Sequence, residues 1–562
     1  MLDFARTQWN KIALAFIVLF GGVLAILGTS YGLPILLHPN EWTIVEPAMR
    51  MVENRTFVPD VFYRPDHLLI IMNAVIYRAM MFLFGINEVA DFTVASYLIA
   101  RLLTAVFFIG SILMAYKTGK FFATLRGEND NICKCIGIAC AFLFAFLPIF
   151  VRETHYATPD IPTVFFMLLF IYAALRYMEK PTLRNVLFMS MVTGVFITIK
   201  YPGAILIGMI ALCVFAVSVR DRLVGRFFRH GVVSAGGMFA TIFIISPVLF
   251  TRFDAVWEAL AAEARDTHLG YDGLGWLGNI WFYFNIYVLN SGIILLVFFA
   301  MGIFAILRKP DGDIDKSKEE HGISGFLKRN NQLMIVLPLF SGFAFWLALS
   351  YMSLHWERWA LPMYVSPLLI SGIGIVKGYD YIKSLAFFEK KRKLCIGIFA
   401  AFLFISALNL IAGSSAGMTE FLLTDTRIAS REFTDENNIT PENTLYENYT
   451  TFEITFHGDM LAIYHAFDRV GDSFQFRYDH IDYIIMSSNM FGRYRADPNR
   501  YADQIAVYDF VESNFIEIKR FEPETRSTSA VEILNIYHSI DYLIRAVNNG
   551  LTGNTLIFFE VN

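Results

Sequence analysis

Carboxylates, imidazoles and cations recur in this sequence just past the ends of long apolar runs, where a membrane protein can present charge to a substrate. The first run is followed by Leu37-His38-Pro39-Asn40-Glu41-Trp42, and then by Tyr63, Arg64 and Asp66. A second group is Arg152-Glu153-Thr154-His155-Tyr156-Ala157-Thr158-Pro159-Asp160, a third is Lys200-Tyr201, and a fourth is His355-Trp356-Glu357-Arg358-Trp359. Singly, each has an ordinary reading. Glu41 and Trp42 suit an interfacial anchor, Asp160 a charge at a helix N-terminus, Lys200 a snorkelling side chain and Arg358 a partner for Glu357. As a set at one depth they point to a site, because ionisable groups there are costly to hold. The chemistry that suits them is sugar transfer from a lipid phosphate. A carboxylate takes the proton of an acceptor hydroxyl, and cations or a divalent metal neutralise the departing phosphate.

What must position these residues is a membrane domain. Of the 562 residues, 56% are hydrophobic and only 17% charged, which excludes an ordinary soluble enzyme of this length. The runs that can span are 12–33, 92–116, 132–150, 161–178, 185–199, 203–219, 231–250, 283–306, 332–352, 359–376 and 394–412. The first has no small-residue cleavage site and reads as a retained helix rather than a signal peptide. Residues 185–219 form one apolar block, but Tyr201-Pro202-Gly203 breaks it, and one straight helix would leave Lys200 at the bilayer centre. Two short spans are expected there.

Residues 67–86, interrupted by His67, Asn73 and Arg78, form the ambiguous run. The connections 117–131, 179–184, 220–230, 307–331 and 377–393 are rich in Lys and Arg. All of them fall on one side, the cytoplasmic one, if 67–86 lies in the outer interface as an amphipathic helix. The expected fold is therefore a polytopic α-helical membrane protein. Residues 1–412 make about eleven spans, with interfacial helices in the first external loop (34–91), and residues 413–562 make an external α/β domain. In that tail, 482–486, 515–518 and 556–559 read as strands, and 426–437 and 503–512 as helices. The five cysteines lie in or beside apolar runs, so neither a disulfide nor a zinc site is expected.

The order of motifs resembles the GT-C superfamily of integral-membrane glycosyltransferases, especially the branch of the protein mannosyltransferases and the lipid A aminoarabinose transferase. His38-Pro39-Asn40-Glu41 resembles that group's acidic motif in the first external loop, and His155-Tyr156-Ala157-Thr158-Pro159-Asp160 its second-loop motif. Lys200-Tyr201-Pro202-Gly203 resembles its lysine turn, and His355-Trp356-Glu357-Arg358-Trp359-Ala360-Leu361-Pro362 its late external segment. The stretch from Thr426-Arg427 onward resembles the helix that opens the external domain in many members. The resemblance implies a polyprenyl-phosphate-linked sugar donor, a glycan, lipid or protein acceptor, an external active site and inversion at the anomeric carbon. By the family pattern Glu41 is the base or base-positioning group and Asp160 the second carboxylate. Lys200, Tyr201 and Arg358 then hold the donor phosphate. His38, Arg64, Asp66, His155, Tyr156, His355 and Glu357 line the substrates, with His155 a contact for phosphate or for a divalent cation, Mg or Mn. No other cofactor and no nucleic acid is implied.

One departure matters. The family carries Asp where this chain has Asn40, and an amide cannot act as a base. The expected setting is a prokaryotic cytoplasmic membrane, with the site and the C-terminal domain outside. Two other readings compete. A transporter or lipid flippase without chemistry is disfavoured by the lack of an internal repeat and by ionisable residues gathered at one surface. An inactive relative is suggested by Asn40 alone.

Overall fold

Inside lipid a chain must satisfy its own backbone hydrogen bonds, and the apolar runs do so as helices packed side by side. This is seen in a computed structural model that describes residues 2–61, 66–263, 273–308, 334–352, 355–384, 391–455, 458–471, 473–548 and 550–561. Helix α1 (Leu2–Ile26) leads through turns into α2 (Trp42–Glu53), on which α3 (His67–Phe84) packs. The bundle continues with α4 (Thr93–Leu125), α5 (Asp130–Ala145), α6 (Pro148–Thr154), α7 (Asp160–Glu179), α8 (Leu183–Ile199), α9 (Ile205–Arg220) and α10 (Val224–Ile245). After α11 (Val248–Thr251) and α12 (Phe253–Glu263) come α13 (Trp276–Ser291), α14 (Ile293–Leu307), α15 (Ser341–Leu349), α16 (Leu361–Ser384) and α17 (Arg392–Thr419). By length and composition, 8 described helices can cross a bilayer, or up to 10 if each of two bent pairs is one span. Helix α3 is among the 8. The interfacial placement expected for 67–86 therefore rests on the loop charges alone.

Local sequence explains the boundaries that matter for the site. Pro202 has no N–H to continue α8, and the chain turns there, Gly203 N donating to Lys200 O at 2.9 Å. A Cβ on Gly203 would meet the backbone of Phe196 and Ile197 at 2.9 Å, so only glycine allows this close return. Lys200 is left extended at the end of α8. Pro148 starts α6 after a bend of 58° from α5, which sets Arg152 to His155 across the end of the bundle. The run 283–306, expected as one span, is instead broken. Helices α13 and α14 meet at 107°, because Gly292, at φ +86°, turns the chain where other residues are strained.

The bundle core is apolar throughout, with Phe144, Phe170, Leu175, Phe196 and Leu368 fully enclosed. A second apolar cluster joins α2, α3 and α4 through Val45, Ile70, Tyr77 and Ala100.

The tail is a sheet-containing region, as its alternation predicts. It runs β1 (Thr424–Asp425), α18 (Thr426–Glu436), β2 (Thr444–Tyr446), α19 (Ala462–His465), β3 (Phe467–Val470), β4 (Ser473–Phe476) and β5 (Tyr483–Ser487). There follow α20 (Ser488–Arg495), α21 (Ala502–Asn514), β6 (Ile516–Phe521), α22 (Glu532–Val547), β7 (Leu551–Thr552) and β8 (Leu556–Glu560). The main sheet is mixed, in the order β2-β5-β8-β6, with β2 parallel to β5 and β8 antiparallel to both of its neighbours. Alternate residues of β5 and β8 pack under α20 and α21, among them Ile484, Met486, Ile557 and Phe559.

Candidate functional site

Asp160 opens α7 and Lys200 closes α8, and the packing of these two helices brings the side chains together. Lys200 Nζ donates to Asp160 Oδ1 at 2.6 Å, and the lysine side chain keeps 21% of its exposure. Arg358, on the turn before α16, is near enough to act electrostatically on Asp160. Its guanidinium is cradled by Asn40. With the amide oxygen turned towards it, Asn40 accepts from Arg358 Nη1 and Nη2 at 2.9 Å each. Asn40 thus holds the arginine with a neutral group that adds no negative charge of its own. Trp356 lies beside the same guanidinium, 6.0 Å from ring centre to Cζ.

Glu41, expected as the base or base-positioning group, is buried and paired. Its side chain is 1% exposed, and Arg101 takes both carboxylate oxygens, Nε to Oε1 at 2.8 Å and Nη2 to Oε2 at 2.7 Å. The Ala157 N–H donates to Oε1 as well, at 2.7 Å. The remaining Arg101 nitrogen, Nη1, donates to Thr29 O and Tyr31 O at 2.7 Å each. A carboxylate so bound has its lone pairs occupied, which suits a rivet between α1, α2, α4 and the second-loop motif. Arg101 was legible in the sequence as a lone arginine inside the run 92–116, yet the motifs gave no reason to single it out.

His155, expected as a contact for phosphate or a divalent cation, is held against main chain. Its Nδ1 faces Val151 O at 2.9 Å and its Nε2 faces Leu27 O at 2.7 Å, so both nitrogens are engaged by main chain. The ring lies flat on Phe421, 4.0 Å between centres and 7° from parallel. Tyr156 meets Phe421 edge-on and stacks on His38 at 4.0 Å. Burial and the cations Arg358, Arg101 and Arg427 hold the His38 imidazole well below its ordinary pKa. It is therefore neutral, and its Nδ1 accepts from Asn40 N at 3.3 Å.

Of the remaining expected residues, Glu357 pairs with Arg152 at 2.9 Å, and Arg152 also pairs with Glu153. His355 meets Phe282 at 4.1 Å between ring centres, tilted by 51°. Asp66, buried at the start of α3, lies near Tyr201. Arg64 falls outside the described residues. The tail reaches the site through Arg427, a contact that the sequence alone does not reveal. It pairs with Asp425 at 2.8 Å and donates to Leu37 O at 3.0 Å, while Asp425 accepts from the Tyr31 hydroxyl at 2.6 Å. A cavity of about 600 Å³ lined by Arg126, Met301, Phe304 and Lys377 lies elsewhere, at the opposite ends of these helices.

Residues 96–250 match the family described as Dolichyl-phosphate-mannose-protein mannosyltransferase. That stretch contains Arg101, Asp160 and Lys200. No curated protein matches the chain. Among solved structures, the archaeal oligosaccharyltransferase AglB from Archaeoglobus fulgidus, in complex with an inhibitory peptide and a dolichol-phosphate, is similar over 99% of this chain and 89% of its own. The TM-score is 0.51 and the identity 11%, a likeness of fold. ArnT from Cupriavidus metallidurans, bound to undecaprenyl phosphate, aligns over 77% of this chain and 73% of its own, with TM-score 0.43 and 15% identity.

Proposed function

We propose that this chain, a membrane protein of the GT-C fold, moves a glycosyl group from a polyprenyl-phosphate donor to an acceptor hydroxyl at the outer membrane face. The observation that carries this reading is the group Asp160, Lys200 and Arg358, one carboxylate between two cations where helix ends meet. The phosphate of the similar AglB complex supports a lipid phosphate as the donor's carrier.

The chemistry divides among the three residues. Arg358 and Lys200 bind the donor phosphate, the guanidinium by its planar fork and the ammonium as a point charge. As Lys200 turns to the phosphate, Asp160 is released to accept the proton of the acceptor hydroxyl. That oxygen attacks the anomeric carbon, the bond from this carbon to the phosphate oxygen breaks, and polyprenyl phosphate leaves with its charge held by the two cations. A single displacement of this kind inverts the anomeric centre. Glu41, expected as the base or base-positioning group, takes the second of these roles here: it holds Arg101 and so fixes the loop that carries Asn40.

A divalent cation fits these residues poorly. Mg and Mn favour several oxygen ligands, Lys200 already holds Asp160, and among the described residues no three of His, Cys, Asp or Glu converge. The two basic side chains therefore carry the phosphate's charge.

Membranes containing the protein, incubated with a panel of labelled polyprenyl-phosphate sugars, should deplete at least one, in the presence of EDTA as well as without it. Membranes with Asp160→Asn should not. Transbilayer movement of a labelled lipid with no loss of its sugar would overturn the transferase reading in favour of a flippase.

A further inference from the structure

Helix α22 belongs to the tail by sequence, but its two faces are arranged backwards for a helix in water. The face turned to the bundle carries Glu532, Asn535, Ser539, Tyr542 and Ala546, all buried. The outward face carries Ile533, Leu534, Tyr537, Ile540, Ile544 and Val547, each between 47% and 80% exposed. No charged residue is among the exposed positions from 531 to 547. Asp541 and Arg545 sit at the flank and pair with each other at 3.0 Å.

Three contacts set the depth of this helix. Asn535 Nδ2 donates to Asn409 Oδ1, at 2.6 Å, in the interior of α17. Ile293 N donates to Ala530 O at 3.0 Å, and Ile294 N donates to the Glu532 carboxylate. These are the N–H groups that the bend at Gly292 leaves without helical partners, and in lipid such groups must be met by protein. From Arg392 to Asn409 along α17 is about 26 Å, and from Arg308 to Ile293 along α14 about 22 Å, at 1.5 Å per residue. Both fall short of a hydrocarbon thickness of about 30 Å. The other end of α22 rises to the end of α17, where Tyr542 and Ala546 pack on Ala416. Beside it, Phe404, Leu408 and Ile411 of α17 are exposed apolar residues of the same surface.

We infer that α22 is embedded in the outer leaflet of the membrane, its deep end at Glu532 plugging the α13–α14 bend and its apolar stripe facing acyl chains. The tail is then not wholly external. It dips into the bilayer between β6 and β7 and returns, and this insertion clamps the sheet-bearing region over the site. Lipid is the occupant because the stripe is continuous with the bare face of a spanning helix, where Phe404, Leu408 and Ile411 are exposed.

Single cysteines at Ile533, Tyr537, Ile540 and Ile544, in full-length protein with its native cysteines replaced, can be spin-labelled and reconstituted in liposomes. The ratio of oxygen to nickel-chelate collision should be several-fold higher at Ile533 than at Asn499 in the tail, and should fall in the order 533, 537, 540, 544. Ratios no higher than at Asn499 would overturn the inference. So would immobilised labels excluded from both reagents, which would mean that a protein covers the stripe. If replacing the buried cysteines prevents folding, a photo-reactive phenylalanine analogue at Tyr537 in the native chain tests the same point. Adducts with phospholipid acyl chains support the inference, and adducts only with protein overturn it.

Discussion

Two carboxylate–cation pairs stand at the same end of this bundle, and they are built for opposite purposes. Glu41 and Arg101 are 1% and 0% exposed, joined by two parallel hydrogen bonds, with every other arginine nitrogen but the bridging ones spent on Thr29 and Tyr31 carbonyls. Asp160 and Lys200 are 3% and 21% exposed and joined by one bond from a flexible ammonium at a helix end. The first pair cannot part without leaving a charge buried and alone, whereas the second can exchange its partner for an arriving phosphate. Burial and denticity, more than residue type, separate a rivet from a working pair.

The largest expected effect tests the working pair. Asp160→Asn should lower turnover by about 10²–10⁴-fold, the usual contribution of a general base, while labelled donor still binds. Glu41→Gln, assayed per folded molecule, should retain most of its turnover. If Glu41→Gln abolishes turnover in fully folded protein while Asp160→Asn does not, the two assignments are reversed.

Next in size is the cost of breaking the rivet. Glu41→Gln or Arg101→Met alone should destabilise by about 3–5 kcal/mol, because the surviving charge is left buried. The double replacement Glu41→Leu with Arg101→Met should recover part of that loss in thermal unfolding of the detergent-solubilised protein. Additive losses in the double variant would mean that the two residues are not coupled.

Smaller effects belong to the donor cations. Lys200→Ala and Arg358→Ala should each weaken donor binding by about 10–100-fold, as for a charged hydrogen bond worth about 1.5–3 kcal/mol. Asn40→Asp sharpens the point, since a carboxylate beside Arg358 would neutralise the guanidinium that the amide leaves charged. Donor affinity should fall in the equilibrium binding curve. Higher turnover in Asn40→Asp would instead place the base at position 40.

A last effect, on stability away from the site, comes from a carboxyl that pairs with no cation among the described residues. Glu447, buried in the tail, accepts from Ser487 N at 2.5 Å and the Tyr508 hydroxyl at 2.6 Å, and burial pushes its pKa up to about 8. The folded state binds a proton that the unfolded state releases near pH 4.5, so stability is full below that pH and is lost as pH rises towards 8. Glu447→Gln mimics the protonated form and should flatten the dependence over that window, as followed by chemical denaturation of the full chain. An unchanged slope would remove Glu447 as its source.

The site was half legible in the motifs. Residues at the ends of apolar runs were visible because charge is costly there, and Asp160, Lys200 and Arg358 do converge. The pairing of Glu41 was not legible, because its partner stands 60 residues away, inside a helix whose apolar character hid a single arginine. His155 resembled a ligand, and the packing of its ring nitrogens against the Leu27 and Val151 carbonyls has no signature in sequence.

By itself the sequence determined that this is a helical membrane bundle with a mixed α/β tail, and the bounds of helices such as α7, α8 and α9. Those outcomes follow from local physics: apolar length, proline without an N–H, and alternation in strands. Only the tertiary structure decided which carboxylate meets which cation, because that depends on how α2, α4, α7 and α8 cross. It also decided the break at Gly292. A glycine in an apolar run can continue a helix or end it, and here it ends one because Ala530 and Glu532, some 238 residues further along, satisfy the N–H groups that the bend sets free.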